Sequence, residues 1–334
     1  MNEIQLHQPN FKFEYDSNDA VAVKAIAEAT AKIIRPGIYT NIPEDIYHAM
    51  PLPSAHKLWT MRKLSPYHFW DKYLNPKREV EKYESTALLF GKAFHLLVLE
   101  PMAAIEKIRQ SPELNLRTKD GRTQLDEFKK SLPAGAIVLQ PDDYERLMLM
   151  GNQFFKNEKN KTYFKNHAEG LNEVTIIWDE DGVKMRGRID RVANGMLHDL
   201  KTANDVNRYA FGESANRYGY AWQLMIYQRG WYKLTGEVLN PLITAVESDR
   251  PYQTKHFIVG DAQFEREAEI FEKIISIYKY CVANDHWFGY NSEPEFLFTR
   301  ANYFDERQWF DDILQRTTLI EPKTNKGVGH EQYC

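Results

Sequence analysis

Cysteine is nearly absent: Cys281 and Cys334 are the two in 334 residues. That count excludes a four-thiolate zinc site, an iron–sulfur cluster and a disulfide scaffold, and it suits a reducing compartment. Long apolar runs are missing as well. No stretch approaches the roughly 18 residues of a membrane span, and the polar opening MNEIQLHQPNFKFEYD lacks the charged-then-apolar order of a signal peptide. The chain is therefore expected to act in the cytoplasm, with no membrane partner. Nor is there a large excess of one charge. A formal net charge of −4 excludes a generic polyanion binder of the histone kind, though a local basic patch on an acidic body remains compatible with a nucleic-acid partner. Internal repeats and low-complexity tracts are lacking.

Core-forming residues are plentiful. Seven Trp, nineteen Tyr and eighteen Phe supply a sizeable interior. The length exceeds the usual domain of about 100–200 residues, yet large α/β enzymes reach it as one body. The expected organisation is an appendage over 1–36, one domain over 37–320 and a loose tail over 321–334.

Hydrophobic period gives the elements. A helix is expected from Ala20 to Ile34, another after the N-cap Ser54, and a strongly apolar one from Ser85 to Glu100, closed by Pro101. The basic stretch NLRTKDGRTQLDEFKKSLP over 115–133 reads as a segment turning at Asp120-Gly121, with a helix from Pro141 to about Lys159 behind it. The period then changes. Val174–Trp178, Lys184–Val192 and Gly195–Lys201 alternate as strands around Asp181-Gly182 and Asn194-Gly195 turns, which predicts a three-stranded meander. A long helix over Tyr218–Leu234, strands near Leu242–Glu247 and His256–Val259, and a helix over Ala262–Ala283 complete the pattern. The fold class is α/β.

Chemistry concentrates in Gly187-Arg-Ile-Asp190 and His198-Asp199-Leu-Lys201-Thr202. Side chains two apart on a strand share a face, about 7 Å along it, so Asp199 and Lys201 project together. Asp190, at the end of the neighbouring strand, can be brought beside them. Two carboxylates suffice to anchor Mg²⁺, which takes hard oxygen ligands and keeps several waters; the Leu200 carbonyl offers a further ligand. A bound cation activates water and neutralises phosphoryl charge, while a lysine beside it orients the water or stabilises the transition state. Alone, Asp-x-Lys is by default a solvated strand edge or a surface ion pair. Two helical motifs accompany it. Gly91-Lys-Ala-Phe-His95 and Gln223-Leu-Met-Ile-Tyr227 each place their end members one turn apart on one face. Gly91 permits close backbone approach, and His95 can supply a neutral nitrogen ligand or a hydrogen bond to a metal-bound water.

The order Gly-x-x-x-His, Gly-x-x-Asp, Asp-x-Lys, Gln-x-x-x-Tyr resembles the RecB-like branch of PD-(D/E)XK nucleases. Within it, Glu173-Val-Thr-Ile-Ile-Trp, Asp-x-Lys-Thr-Ala-x-Asp ending at Asp205, Ile46-Tyr47-His48 and Leu99-Glu100-Pro101 resemble RecE-type (exodeoxyribonuclease VIII-like) phage and prophage exonucleases. The likeness spans roughly 37–290. It implies a restriction-endonuclease-like core, with a central mixed β-sheet and β-meander flanked by helices. It also implies metal binding by His95, Asp190, Asp199 and Leu200, catalysis by Lys201 with Asp190 and Asp199, and assistance from Gln223 and Tyr227. Glu173 is a further acidic candidate, and Arg117, Lys119 and Arg122 are candidate phosphate contacts.

The implied activity is Mg²⁺-dependent digestion of linear duplex DNA, 5′ to 3′, with Mn²⁺ as substitute. The products would be 3′ single strands for recombination with a RecT-type annealing protein. The enzyme would be a homotetrameric ring in the cytoplasm of a bacterial host. Two alternatives stay open: a structure-specific or restriction-like endonuclease, and an inactive DNA-binding or assembly subunit. After Trp287 the run Phe-Gly-Tyr-Asn-Ser-Glu-Pro-Glu departs from the family's proline and tryptophan pattern, which leaves the C-terminal elements and subunit contacts unassigned.

Overall fold

Polar side chains punctuate the helices of the computed structural model, which describes residues 13, 15, 19–78, 85–133, 135–165 and 169–291. The order is α1 (Ala20–Ile33), β1 (Gly37–Tyr39), α2 (Glu44–Ala49), α3 (Ala55–Lys63), α4 (Pro66–Tyr73), α5 (Thr86–Leu99), α6 (Pro101–Lys107), β2 (Ile108–Gln110), α7 (Lys119–Lys130) and β3 (Ile137–Leu139). It continues with α8 (Pro141–Phe154), α9 (Glu158–Phe164), β4 (Gly170–Glu180), β5 (Val183–Ala193), β6 (Met196–Ala203), α10 (Arg208–Tyr218), α11 (Tyr220–Thr235), β7 (Asn240–Glu247), β8 (Thr254–Phe257) and α12 (Asp261–Asn284). Ser54, Ser65, Ser85, Thr118, Asn157 and Asn207 each accept an N–H of the first turn, satisfying a donor that the helix itself leaves free.

The meander forms as its turns dictate. Asp181-Gly182 and Asn194-Gly195 all have positive φ, between 52° and 86°, the left-handed pair that a two-residue hairpin requires. Six strands align in the order β1-β4-β5-β6-β7-β8. All pairs are antiparallel except β6 with β7, whose parallel pairing is made possible by the crossover through α10 and α11. The sheet is therefore mixed and flanked by helices, as expected of the PD-(D/E)XK class.

Helices cover both faces. On one, Leu58, Trp222, Trp231 and Ile274 pack against Ile176, Trp178, Ile189 and Ile243. On the other, Phe94, Phe154 and Phe164 pack against Leu200 and Val246. A third cluster joins Ala27, Ile46 and Ile177, and Lys184 Nζ donates to the carbonyls of Ala31 and Ile34 at 3.2 and 3.0 Å. No helix among the described residues is long and apolar enough to cross a membrane.

Several boundaries differ from the sequence expectation. Asp120-Gly121 is the first turn of α7 rather than a reverse turn, because Thr118 caps the Gly121 N–H. A glycine is needed there, since a Cβ would lie 2.2 Å from the Asn115 carbonyl. The helix expected over 141–159 ends at Phe154, and Asn157 caps a separate α9. Pro101 ends α5 but also starts α6, where its missing N–H costs nothing. Gly219, left-handed at φ 71°, separates α10 from α11. The segment over 321–334 and the run from Ser292 onward lie outside the described residues.

Candidate active site

The site lies where the meander strands part. Pairing of β5 with β6 runs from Ala193–Met196 to Arg191–His198 and stops before Asp190 and Asp199. There the Leu200 N–H, released from the ladder, donates to Asp190 Oδ2 at 2.7 Å. On the other side, β4 and β5 keep one register before and after the Glu173–Asp190 position, which itself is unpaired. Glu173 has φ 48°, a left-handed backbone that a non-glycine residue adopts at a cost. Its effect shows in the packing. Leu171 and Val174 face the same core cluster, as do Ile189 and Val192, although residues three apart on a regular strand face opposite sides. Both strands thus slip phase together at Glu173 and Asp190.

This slip brings three ligand-bearing side chains into one group. His95, Glu173 and Asp190 each present an atom within 4.8 Å of the others. His95 arrives from α5, which can lie close to β6 because Gly91 has no side chain; a Cβ there would sit 3.3 Å from Thr202 Oγ1. His95 Nδ1 stands 3.8 Å from Asp190 Oδ2. Burial lowers the His95 pKa, against the opposing pull of Asp190, so the imidazole is neutral and keeps a lone pair. Burial, reinforced by Asp190, pushes the Glu173 carboxyl up to about 8.

Asp199 is next to this group and differently engaged. Its Oδ1 accepts from Lys201 Nζ at 2.6 Å and from Gln223 Nε2 at 3.2 Å. Its Oδ2 is buried with no hydrogen-bond partner among the described residues. Burial pushes Asp199 up to about 6, with Lys201 opposing and Asp190 adding to the rise. Burial also works against the Lys201 charge, but Asp199 and Asp190 outweigh it and raise the lysine pKa, so the ammonium persists. The residues fit a divalent cation: oxygen and imidazole donors converge, the acids repel one another, and a buried carboxylate oxygen has no partner.

Of the residues expected from the sequence, His95, Asp190, Asp199, Leu200, Lys201 and Gln223 come together. Leu200 acts here through its main chain, as donor to Asp190 and hydrogen-bond partner of His95. Glu173, a secondary candidate in the sequence, joins the tight group, whereas Asp199 stands between Lys201 and Gln223. Tyr227 packs on the Gly187 motif, where a Cβ would lie 2.8 Å from its ring, and its hydroxyl hydrogen-bonds the Arg188 main chain within the field of Asp190 and Asp199. Gly187→Ala should therefore destabilise the protein by roughly 1–3 kcal/mol through overpacking. Urea unfolding checks this, and an unchanged midpoint would show that the ring yields freely. Arg117, Lys119 and Arg122 lie exposed at the start of α7, and Arg122 turns back to the Leu116 carbonyl at 3.4 Å. They make no hydrogen bond or ion pair to the site.

Sequence reasoning missed Tyr220, whose ring centroid is 5.3 Å from Lys201 Nζ, and Arg188, whose charge opposes the rise at Glu173. Arg188 and Arg186 stack on Tyr47 at 4.5 and 4.4 Å. No motif spacing links these residues; tertiary packing does.

Residues 57–297 match the family model described as a PDDEXK-like domain of unknown function (DUF3799). The chain belongs to this family. It thus carries a PDDEXK-like domain, the fold of a nuclease class that generally uses divalent metals, and the matched residues include every member of the site from His95 to Tyr227. Among solved structures, the PD-(D/E)XK chain resembles a Eubacterium rectale protein named "Putative exonuclease", at 15% identity and TM-score 0.49, over 86% of this chain and 97% of that one. SSO0001 resembles it at 14% identity and TM-score 0.24, over 59% and 88% respectively. No curated protein matches the sequence.

Proposed function

We propose that this nuclease is a Mg²⁺-dependent exonuclease of the RecE type, digesting linear duplex DNA from 5′ ends to leave 3′ single strands. One observation carries the chemistry: His95, Glu173 and Asp190 converge beside the Asp199–Lys201 pair. The order of the four sequence motifs supports the RecB-like PD-(D/E)XK branch, and the runs at Glu173–Trp178, Asp199–Asp205, Ile46–His48 and Leu99–Pro101 support the RecE reading within it.

His95, Glu173, Asp190 and Asp199 Oδ2 would hold the cation. When bound, it would neutralise phosphoryl charge and lower the pKa of water. The remaining work falls to the protein. Asp199, itself held by the Gln223 amide, fixes Lys201 so that its ammonium needs no reorganisation when charge develops on the phosphate. The Leu200 N–H locks Asp190, and α5 fixes His95 against β6. Mn²⁺ should replace Mg²⁺, being likewise an oxygen-preferring octahedral cation. Ca²⁺ should bind without supporting turnover, because its looser coordination places the reacting groups poorly. Digestion in Ca²⁺ at the Mg²⁺ rate would contradict that geometry.

The partners in this proposal are duplex ends, a RecT-type annealing protein and three further copies of the chain in a cytoplasmic ring. The test is digestion of a linear duplex labelled separately at its 5′ and 3′ ends, beside a covalently closed circle, with Mg²⁺. Early release of 5′ label from the linear DNA alone is expected. Cutting of the circle would make the protein an endonuclease, and release of 3′ label first would reverse the polarity.

A further inference from the structure

A row of aromatic rings runs from the reacting side chains to solvent. Lys201 Nζ lies 5.3 Å from the Tyr220 centroid, and Tyr220 stacks with Tyr218 at 6.0 Å, their planes 22° apart. Inward, Tyr220 leans on Phe211 at 5.8 Å, and Phe211 stacks on Phe257 at 4.6 Å. Exposure changes sharply along the row. Phe211 is 2% exposed and is core, whereas Tyr218 is 58% exposed. The Tyr218 hydroxyl has no hydrogen-bond partner among the described residues. Core packing therefore explains the inner rings and leaves the outermost one without a structural task.

The outer pair is also rigidly mounted. Tyr218 and Tyr220 flank Gly219, whose left-handed backbone presses so close to Trp59 that a Cβ would lie 2.7 Å from the indole. Trp59 is held in turn by the Arg62 guanidinium at 4.7 Å, and Arg62 is paired with the buried Glu267. Arg217, exposed beside Tyr218, adds positive charge at the same edge. A rigid ring with a free face, one ring away from an ammonium that handles phosphate, suits a nucleobase on a phosphodiester chain. A base inside a duplex has both faces covered by its neighbours and a terminal base has one free, so the ledge takes a base at a strand end or one released from the stack.

We propose that Tyr218, backed by Tyr220, is a stacking ledge for one unpaired DNA base next to the phosphate engaged by Lys201, so that the strand is frayed before it is cut. This rests on the nuclease reading above. It adds that the bound substrate is locally single-stranded, and it assigns the residue that keeps it so.

The test uses full-length protein carrying Asp199→Asn, to prevent digestion, and a linear duplex with 2-aminopurine at a strand terminus, each end in turn. Stacked on Tyr218, the probe should stay dim when bound at one of the two ends. Adding Tyr218→Ala should leave it bright in the complex and weaken binding about tenfold, and Tyr218→Trp should restore both. Tyr218→Leu keeps an apolar side chain without a π-face and should behave like Ala. Equal fluorescence and affinity across Tyr, Ala and Leu, or full function with Leu, overturns the ledge while leaving the nuclease reading in place. Failure of the unmodified protein to cut any DNA overturns the nuclease reading, and the ledge with it.

Discussion

Asp199→Asn is expected to lower DNA cleavage by about three orders of magnitude, the equivalent of ~4 kcal/mol of transition-state stabilisation. Two losses coincide in this one change. The unpartnered Oδ2 is no longer part of a carboxylate that can face a cation, and Lys201 loses the negative charge it touches at 2.6 Å. Asparagine keeps the shape of a side chain only 2% exposed, so the local packing is retained. An ammonium short of its partner does cost stability. The rates should therefore be compared at a temperature where circular dichroism shows both proteins folded. Digestion at the wild-type rate by folded Asp199→Asn protein would remove this residue from the chemistry.

Metal affinity is expected to rise by one to two orders of magnitude between about pH 6 and pH 8, the range over which Asp199 and Glu173 lose their protons. Glu173, at about 8, is almost wholly protonated at the lower end and half ionised at the upper. Asp199, at about 6, contributes roughly a further factor of two. A cation must displace these protons, so binding tightens as they leave. The metal-free protein should show the opposite trend. Because Glu173 holds its proton in the fold up to about 8 but releases it near its ordinary value of 4.5 when unfolded, stability declines as pH rises through that interval. Calorimetric titration with Mn²⁺ across the range, beside unfolding midpoints without metal, checks both signs. An affinity independent of pH would mean that neither carboxyl is displaced from its proton by the ion.

Much of the framework was legible because it rests on local rules. The hairpin turns carry the Asp-Gly and Asn-Gly pairs that their backbone needs, α5 has a serine cap, and α12 is periodic over its length. Two of the motif spacings became contacts: Gly91 lets α5 reach β6, and Gly187 receives Tyr227. Other features escaped because no period encodes them. β1 is three residues long and is defined by a partner far along the chain, Tyr39 pairing with Thr175. The end of α10 is set by Gly219 against a distant indole, so Tyr218 and Tyr220 read in the sequence as one continuous helix. The sequence pairs Asp190 with Asp199 as metal ligands because alternation on adjacent strands suggests it. The fold closes the tighter group around Glu173, whose left-handed backbone is an unusual choice for a glutamate and leaves no compositional trace.

The phase slip in β4 and β5 also says what assembles the centre. Apolar residues on either side of Glu173 and Asp190 are buried in proper contact only while the twist persists, so oily packing enforces a crowding of acids that electrostatics alone would disperse. Zinc fingers take the reverse course, in which the ion organises an otherwise loose chain. Here apolar packing brings the acids together, and a cation bound among them would relieve their mutual repulsion.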